Sequence, residues 1–331
     1  MIDEQSKNNV DITAMIVYQL KDKAIWIVFL ALFIFFSIMN PRFLDYSNLL
    51  IILRQVSMFG IASIGMTFVI LTGGIDLSVG AMINIVGIFC AHMIAVLHFD
   101  TSVAILLALL ATTIIGLING FMVATVGMPS IIATFATQIV VIGTAYIISD
   151  GFPIRPAEGF SDGFRQIGQG MFFDTPIPIP VIIMLVCFAI GSFILNKTTF
   201  GRYFYAVGGN EEASKLSGIR ITRVKYQVYA LSGFFSGLAG IVLLSRTNSA
   251  QPNAALGWEF DVITCVILGG VSIKGGFGKI SNVVAGVFII GILTNGMVLM
   301  NISAYTQMVV RGCVLAVAVG FDCLQKRKQI S

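Results

Sequence analysis

The sequence is dominated by a succession of long apolar runs. A membrane-spanning helix needs about twenty predominantly apolar residues, and the chain offers ten candidate runs, of which the eighth is too short for a regular span. They lie at 24–40, 48–71, 77–97, 102–124, 130–149, 178–196, 226–245, 260–273, 283–301 and 304–322. Only 11% of the residues are charged, which is too little polar surface to cover a water-soluble fold. The sequence therefore predicts an all-α fold, a polytopic integral membrane helical bundle of about ten transmembrane segments.

The basic residues between the runs predict how the bundle is oriented. Cytoplasmic loops of membrane proteins carry an excess of Lys and Arg, and most basic residues fall on one side when the N-terminus is placed in the cytoplasm. An even number of spans then puts both termini in the cytoplasm. The predicted organisation is a cytoplasmic segment at 1–23, a transmembrane domain at 24–322 and a cytoplasmic tail at 323–331. Within the domain, 150–177 is an external loop and 197–225 is a cytoplasmic loop.

The remaining composition argues against several other classes of protein. The net charge is only +4 and the basic residues are dispersed, so the chain lacks the basic stripe that suits nucleic acid. The five cysteines are scattered, and His92 and His98 have no partner at the spacing of metal ligands. We therefore expect no metal site, no catalytic residues, no cofactor in this chain and no nucleic-acid partner.

The predicted cytoplasmic loop contains the string GGNEEASKLSGI, which has the signals of a short helix. Asn210 is a favourable N-cap. Glu211 and Glu212 follow where the helix dipole favours acids, and Gly218 suits the position after the C-cap. These signals predict a helix over 211–217. Taken alone it is either a well-capped surface turn or a docking helix for a cytoplasmic partner.

The chain has no recognisable ATP-binding loop of its own. A Walker A loop needs G-x-x-x-x-G-K-[ST]. The nearest match ends in GGFGKI, with Ile280 where Ser or Thr must ligate magnesium and Ile273 where the first Gly is required. If transport is driven by ATP, we expect the ATPase to be a separate polypeptide.

The string LTGGIDLSVG interrupts the apolar region with polar and flexible residues. Gly73 and Gly74 permit a break in a helix, and Asp76 and Ser78 follow directly. A charged residue at the bilayer centre costs about 2.5–3.5 kcal/mol on insertion scales, so Asp76 needs a reason to be there. Two interpretations stay open, which are compatible: Asp76 caps the next helix, or it lines a transport path at a helix break.

A second polar group precedes and enters the short apolar run at 260–273. Trp258, Glu259 and Asp261 lie at the predicted outer entrance of this run. Acids can hydrogen-bond the hydroxyl groups of a solute and an aromatic face can pack on its apolar face, whereas the alternative is an outer loop with an interfacial Trp. Arg311 lies within the last run. We interpret it as a structural charge, with Asp261 or Asp76 as possible partners.

Several strings together resemble one family over nearly the whole chain. They are TFVILTGGIDLSVGAM, TTFGRYFYAVGGNEEASKLSGI, SAQPNAALGWEFD and LGGVSIKGGFGK. They are similar to the permease subunits of bacterial monosaccharide ABC importers of the ribose/galactose/xylose type. The segment EASKLSG also resembles the E-A-A-x-x-x-G signature of ABC permeases, with Ser214 where the signature has its second Ala.

The resemblance implies a permease in the bacterial inner membrane, with 150–177 in the periplasm. Its implied partners are a cytoplasmic ATPase that binds ATP and magnesium, a periplasmic sugar-binding protein, and a second copy or a paralogous permease. A monosaccharide is the implied substrate, and the substrate path would include Gly73, Gly74, Asp76, Ser78, Trp258, Glu259 and Asp261. The ATPase-coupling residues would be Asn210, Glu211, Glu212, Ala213, Ser214 and Gly218.

Two other functions are compatible with the residues. One is an ion-coupled secondary transporter, in which Asp76 or Asp261 would serve the coupling ion. The other is an ABC permease for a nucleoside or a sugar-like signal molecule. The string EFDVITC departs from the smaller residues usual in the family, since Phe260, Val262 and Thr264 are bulkier, and this bears on the choice of sugar.

Overall fold

The computed structural model describes residues 25–173 and 175–330, with side chains described up to Leu324. The predicted segment 1–23 lies outside the described residues. Over the part of the chain that is described, the fold is all-helical, with a short 3-10 helix at Pro41–Leu44 and no β-strand. The helices are α1 Ile25–Met39, α2 Tyr46–Leu71, α3 Val79–Ala95, α4 Thr101–Ala124, α5 Ser130–Ser149, α6 Asp162–Gln169, α7 Ile179–Lys197, α8 Thr199–Gly209, α9 Glu211–Leu216, α10 Ile221–Thr247, α11 Trp258–Leu268, α12 Ile280–Leu299 and α13 Ala304–Ile330.

Seven of these helices are long and apolar enough to cross a membrane: α2, α4, α5, α7, α10, α12 and α13. The predicted all-α membrane bundle is therefore confirmed. Helices α1 and α3 are apolar but shorter, and α11 has only 11 residues, so the run at 260–273 is not a regular span. Helix α13 continues past the predicted end of the transmembrane domain at 322. The total of ten spans and the cytoplasmic termini stay predictions.

Helices α2 and α10 form the interior of the bundle. In α10, 78% of the most apolar 18-residue stretch is buried, against 11% of the corresponding stretch in α13 at the periphery. Small residues allow this burial, because a Cβ added to Gly116 of α4 would lie only 2.2 Å from the Tyr229 carbonyl oxygen of α10. Backbones that approach this closely pack by van der Waals contact, as helices in lipid commonly do. Ser232, Ser236 and Ser245 of α10 consequently lie in the protein interior.

Connections between helices gather at two ends of the bundle. At the first, called the α6 end, the Gly168 amide donates to Ser245 Oγ over 2.7 Å, and the backbones of Ile154 and Ala250 exchange hydrogen bonds of 2.9 Å. The second, called the α9 end, holds α8, α9 and the segment 269–279. Helix α3 runs toward the α6 end and α11 runs toward the α9 end, so their first residues lie inside the bundle.

Candidate functional site

The connection 72–78 between α2 and α3 is an ordered break inside the bundle. Gly73 adopts a φ of 78°, which a side chain would strain. A Cβ added to Gly74 would lie 2.7 Å from Tyr229 Oη. The amides of the break are held by α5, since Ile75 N donates to Ser130 Oγ over 3.2 Å and Leu77 N donates to Thr134 Oγ1 over 3.0 Å. The two glycines therefore permit a sharp turn that side chains of α5 fix.

Asp76 lies at the centre of this break and is fully buried. Its Oδ1 accepts from the Ser78 amide over 3.0 Å and from Ser78 Oγ over 2.5 Å, and its Oδ2 accepts from Ser232 Oγ over 2.7 Å. The bond from the Ser78 amide is that of an Asx turn, and the N-cap of α3 is Ser78 itself, with no side-chain cap bond. Asp76 therefore holds the turn that leads into α3. Its contact with a passing solute stays a prediction, because both oxygens are occupied here.

The hydrogen bonds of Ser78 extend across the bundle. Ser78 Oγ accepts from Asn119 Nδ2 over 2.9 Å, and Asn119 Oδ1 accepts from Thr137 Oγ1 over 2.6 Å. This series of hydrogen bonds joins α3, α4, α5 and, through Asp76, α10. Sequence reasoning missed Asn119, Thr137 and Ser232 as members of the network. The available signal was their polar character inside otherwise apolar runs.

The start of α11 lies against the start of α3. Gly257 has a φ of 85° and turns the chain into α11. Glu259 is only 3% exposed, and its Oε1 accepts from Gln138 Nε2 over 2.7 Å. A Cβ added to Gly80 would lie 2.2 Å from Glu259 Oε2, so the glycine of α3 makes room for the acid. Two helix N-termini, whose partial charges are positive, thus meet around one carboxylate.

The chain reaches α11 through a non-helical segment, 249–257, that enters the bundle from the α6 end. The Ala255 amide donates to Asn84 Oδ1 of α3 over 2.8 Å. Asn84 Nδ2 and Glu259 Oε2 are buried without a hydrogen bond of normal geometry to the described residues. A small cavity lies between this segment, α3 and α10, and Asn84 lines it together with Gln251. Irregular backbone at such depth is tolerated where it is covered by protein or lines a cavity.

This placement differs from the expected outer entrance for the acids of α11. Glu259 and Asp261 lie in the interior because the segment before them, a succession of turns over 252–257, packs between α3 and α10. Trp258 is half-buried and packs on Phe59, with ring centroids 4.7 Å apart. It is therefore a packed residue rather than one that stands free in an outer loop.

Asp261 forms an ion pair with Arg311, which joins α11 to α13. Arg311 Nη1 donates to Asp261 Oδ2 over 2.8 Å. The Asp261 side chain is 4% exposed and that of Arg311 is 27% exposed. Of the two partners considered for Arg311, the structure brings Asp261 to it, whereas Asp76 is bonded to serines. The interpretation of Arg311 as a paired structural charge agrees with this contact.

The predicted short helix is present as α9 at the α9 end, and its bounds differ from the prediction by one residue. Asn210 Oδ1 accepts from the Ala213 amide over 2.9 Å, which is the predicted N-cap. Gly218 has a φ of 84°, and the Ile219 amide donates to the Ser214 carbonyl over 3.0 Å. Both cap signals in the sequence are therefore used as predicted.

The surface of α9 combines charge with one large apolar side chain. Glu211 pairs with Lys225 of α10 over 2.8 Å, Glu212 is exposed, and Ser214 is buried against the bundle. Leu216 is 90% exposed. The structure therefore separates the predicted residues into two groups: those of α9 lie at the α9 end, and the others lie around the starts of α3 and α11.

Interrupted helices with acids at their buried starts, within an apolar bundle that presents a capped helix at one end, define a multi-pass membrane permease. A profile of the family described as "Branched-chain amino acid transport system / permease component" matches residues 48–319. The chain belongs to this family. A permease moves a solute without changing it covalently, so the chain is a transport protein rather than an enzyme.

Three relatives share most of their length with this chain. Ribose import permease protein RbsC of Bacillus subtilis is 46% identical over 297 residues, which cover 89% of this chain and 91% of the relative. L-arabinose transport system permease protein AraH of Escherichia coli is 42% identical over 89% of this chain and 88% of its own. The L-arabinose ABC transporter permease protein AraH of Azospirillum brasilense is 36% identical over 95% and 91%. No solved structure matches this chain.

Proposed function

We propose that this chain is the membrane-spanning permease subunit of an ATP-binding-cassette importer for a monosaccharide. The observation that carries the proposal is the identity of 46% and 42%, over 89% of this chain, with permeases named for ribose and L-arabinose. The family description names branched-chain amino acids. We favour a sugar because the relatives that share nine-tenths of the chain are sugar permeases, and a pentose is the expected cargo.

The proposed orientation places the α9 end in the cytoplasm and the α6 end in the periplasm of a bacterial inner membrane. Basic residues support it, since Lys197, Arg202, Lys215, Arg220 and Lys225 all belong to the α9 end. Ten crossings result if α1, α3 and the segment 249–268 each count beside the seven long helices. An even number then returns the C-terminus to the cytoplasm.

The proposed partners follow from the two ends. Helix α9 is the coupling helix that docks on a cytoplasmic ATPase, which supplies the ATP and magnesium sites. Its support is the exposure of Leu216, since an apolar side chain that is 90% exposed at a membrane protein's polar end suits a pocket on a partner. A periplasmic sugar-binding protein delivers substrate at the α6 end, and a second copy or a paralogous permease completes the complex.

The proposed substrate path passes the starts of α3 and α11. It includes Gly73, Gly74, Asp76, Ser78, Trp258, Glu259 and Asp261. Two unsatisfied atoms support this location: Asn84 Nδ2 is a donor and Glu259 Oε2 is an acceptor, and both border the segment 249–257. A sugar hydroxyl both donates and accepts hydrogen bonds, so it can satisfy such a pair when the path opens.

Reconstitution in proteoliposomes tests the proposal. The permease, its cognate ATPase and its binding protein would be combined, and uptake of radiolabelled ribose and arabinose measured with and without internal ATP. We expect uptake that requires ATP and the binding protein. Uptake by the permease alone that follows an ion gradient would establish the secondary transporter instead. Transport of a nucleoside in preference to both pentoses would contradict the sugar assignment while retaining the ABC mechanism.

A further inference from the structure

Three segments meet backbone to backbone at the α9 end: the end of α2, the end of α8 and the segment 269–279. The Gly276 amide donates to the Leu71 carbonyl oxygen over 2.9 Å. A Cβ added to Gly208 would lie 1.8 Å from that same oxygen and 2.5 Å from the Gly276 nitrogen. A Cβ added to Gly275 would lie 2.8 Å from the amide nitrogen of Gly73. We call this meeting point the glycine junction, and it comprises Gly73, Gly208, Gly275 and Gly276.

Each segment of the glycine junction continues into an element of the proposed machinery. Helix α8 ends at Gly209, and Asn210, the cap of α9, follows directly. Gly73 begins the break that holds Asp76. The segment 269–279 starts where α11 ends, and α11 carries Glu259 at its other end. The proposed docking helix and both buried helix starts are therefore connected through one point.

The contacts at the glycine junction cannot be adjusted by movement of side chains. The described atoms that touch are backbone atoms, so no side chain between them can absorb a displacement by changing its rotamer. Tyr205 Oη of α8 also donates to the Gly278 carbonyl over 2.8 Å, which ties α8 to the same segment a second time. A closely packed contact of this kind shifts as a unit rather than deforming gradually.

We propose that the glycine junction transmits displacement of α9 to the starts of α3 and α11, with Gly208 as a positioning residue for ATP-coupled transport. The inference rests on the proposed function, since it takes α9 to be the helix that the ATPase moves. Gly208 lies at neither the docking surface nor the polar residues of the path. Its role is to let α8 contact α2 and the 269–279 segment without an intervening side chain.

Gly208→Ala and Gly209→Ala form a matched pair for the test. The two positions are adjacent in α8, but a Cβ on Gly209 would meet no atom within 4 Å. The complete complex would be reconstituted with its ATPase and binding protein, and ATPase activity measured with and without ribose-loaded binding protein. We expect Gly208→Ala to lose about tenfold in stimulated activity and uptake, within the range of coupling between sites. Basal ATPase activity and co-purification of the ATPase should persist, and Gly209→Ala should behave as wild type.

Two results with Gly208→Ala would overturn the inference. Stimulation equal to that of Gly209→Ala would show that the contact transmits nothing. Loss of ATPase co-purification would show that Gly208 only shapes the docking surface. If the wild-type complex itself lacks ATP-dependent uptake, the proposed function fails and the inference falls with it, a result distinct from a difference between the two variants.

Hydrogen exchange of the wild-type complex gives a second test that needs no variant. On trapping with ATP and vanadate, we expect exchange to change together in 72–78, 208–216 and 249–257. The Gly276 amide should stay protected in both states, because its bond to the Leu71 carbonyl moves with the junction. Loss of protection at Gly276 would show that the junction opens, which contradicts transmission through it.

Discussion

The starts of α3 and α11 are neighbours inside the bundle, but the acids at the two starts differ in how completely they are hydrogen-bonded. Asp76 receives three hydrogen bonds from Ser78 and Ser232, so its carboxylate is satisfied by the chain itself. Glu259 receives one bond of normal geometry, from Gln138, and its Oε2 has none from the described residues. Asp76 thus completes a structural network in this state. Glu259 retains an acceptor for a ligand, which makes it the stronger candidate for substrate contact.

Asp76→Ala should have the largest effect on stability. It leaves the hydroxyls of Ser78 and Ser232 and the Ser78 amide without an acceptor, and each buried unpaired group costs about 1–3 kcal/mol. We expect the free energy of unfolding, measured by SDS titration, to fall by about 3 kcal/mol or more. Asp76→Asn keeps one carbonyl acceptor and should lose less. A wild-type value for Asp76→Ala would show that the network is not what holds the break.

Arg311→Met should have the next largest effect on the free energy of unfolding, because it leaves the buried carboxylate of Asp261 without its partner. Removal of one partner from a fully buried pair costs about 3–5 kcal/mol, but the Arg311 side chain is 27% exposed. Discounting for that exposure, we expect a loss of about 1–3 kcal/mol in the same assay. The double variant Asp261→Asn, Arg311→Met should recover part of the loss. Equal stability of the single and double variants would contradict the ion pair as a structural contact.

Glu259→Gln should separate function from stability. The Gln carbonyl can still accept from Gln138, and the variant removes a buried charge that is incompletely paired. The free energy of unfolding should therefore stay within about 1 kcal/mol of wild type. Uptake should fall about 10- to 100-fold, the loss expected for one hydrogen bond to a charged group. Normal uptake would remove Glu259 from the substrate path and end the functional contrast with Asp76.

Leu216→Asp should leave the stability of the bundle unchanged, since this side chain is already 90% exposed. Its effect should appear as loss of ATPase co-purification and about tenfold weaker uptake, as for an anchor residue of an interface. Phe173→Asp is the matched control, because Phe173 is 82% exposed at the α6 end. Equal ATPase retention by both variants would contradict α9 as the docking helix.

The local features of this fold were largely predictable from the sequence. Asn210 and Gly218 cap α9 as their residue types predict, because capping depends on a few adjacent residues. The apolar runs predicted the all-helical membrane bundle because each run is recognisable from its own consecutive residues. The run at 260–273 was correctly expected to be irregular, since its length alone rules out a regular span.

The contacts between distant segments could not be predicted in this way. No pattern along the chain indicates that Gly80 makes room for Glu259, or that Asn84 holds the Ala255 amide, because these contacts depend on how α3 and α11 meet. The choice of Asp261 over Asp76 as partner of Arg311 depends on the same packing. The burial of Glu259 could not be predicted either, because it depends on how the turns of 249–257 pack between α3 and α10.

The brevity of α11 has a consequence for how the protein is made. At about 1.5 Å per residue, its 11 residues extend roughly 16 Å, about half of a bilayer's hydrocarbon core. Such a segment cannot enter the membrane by itself, and the non-helical chain before it would expose unpaired amides to lipid. Asn84, which satisfies one of these amides, belongs to α3 and is synthesised far earlier. The first half of the chain must therefore be in place as a template before α11 is inserted.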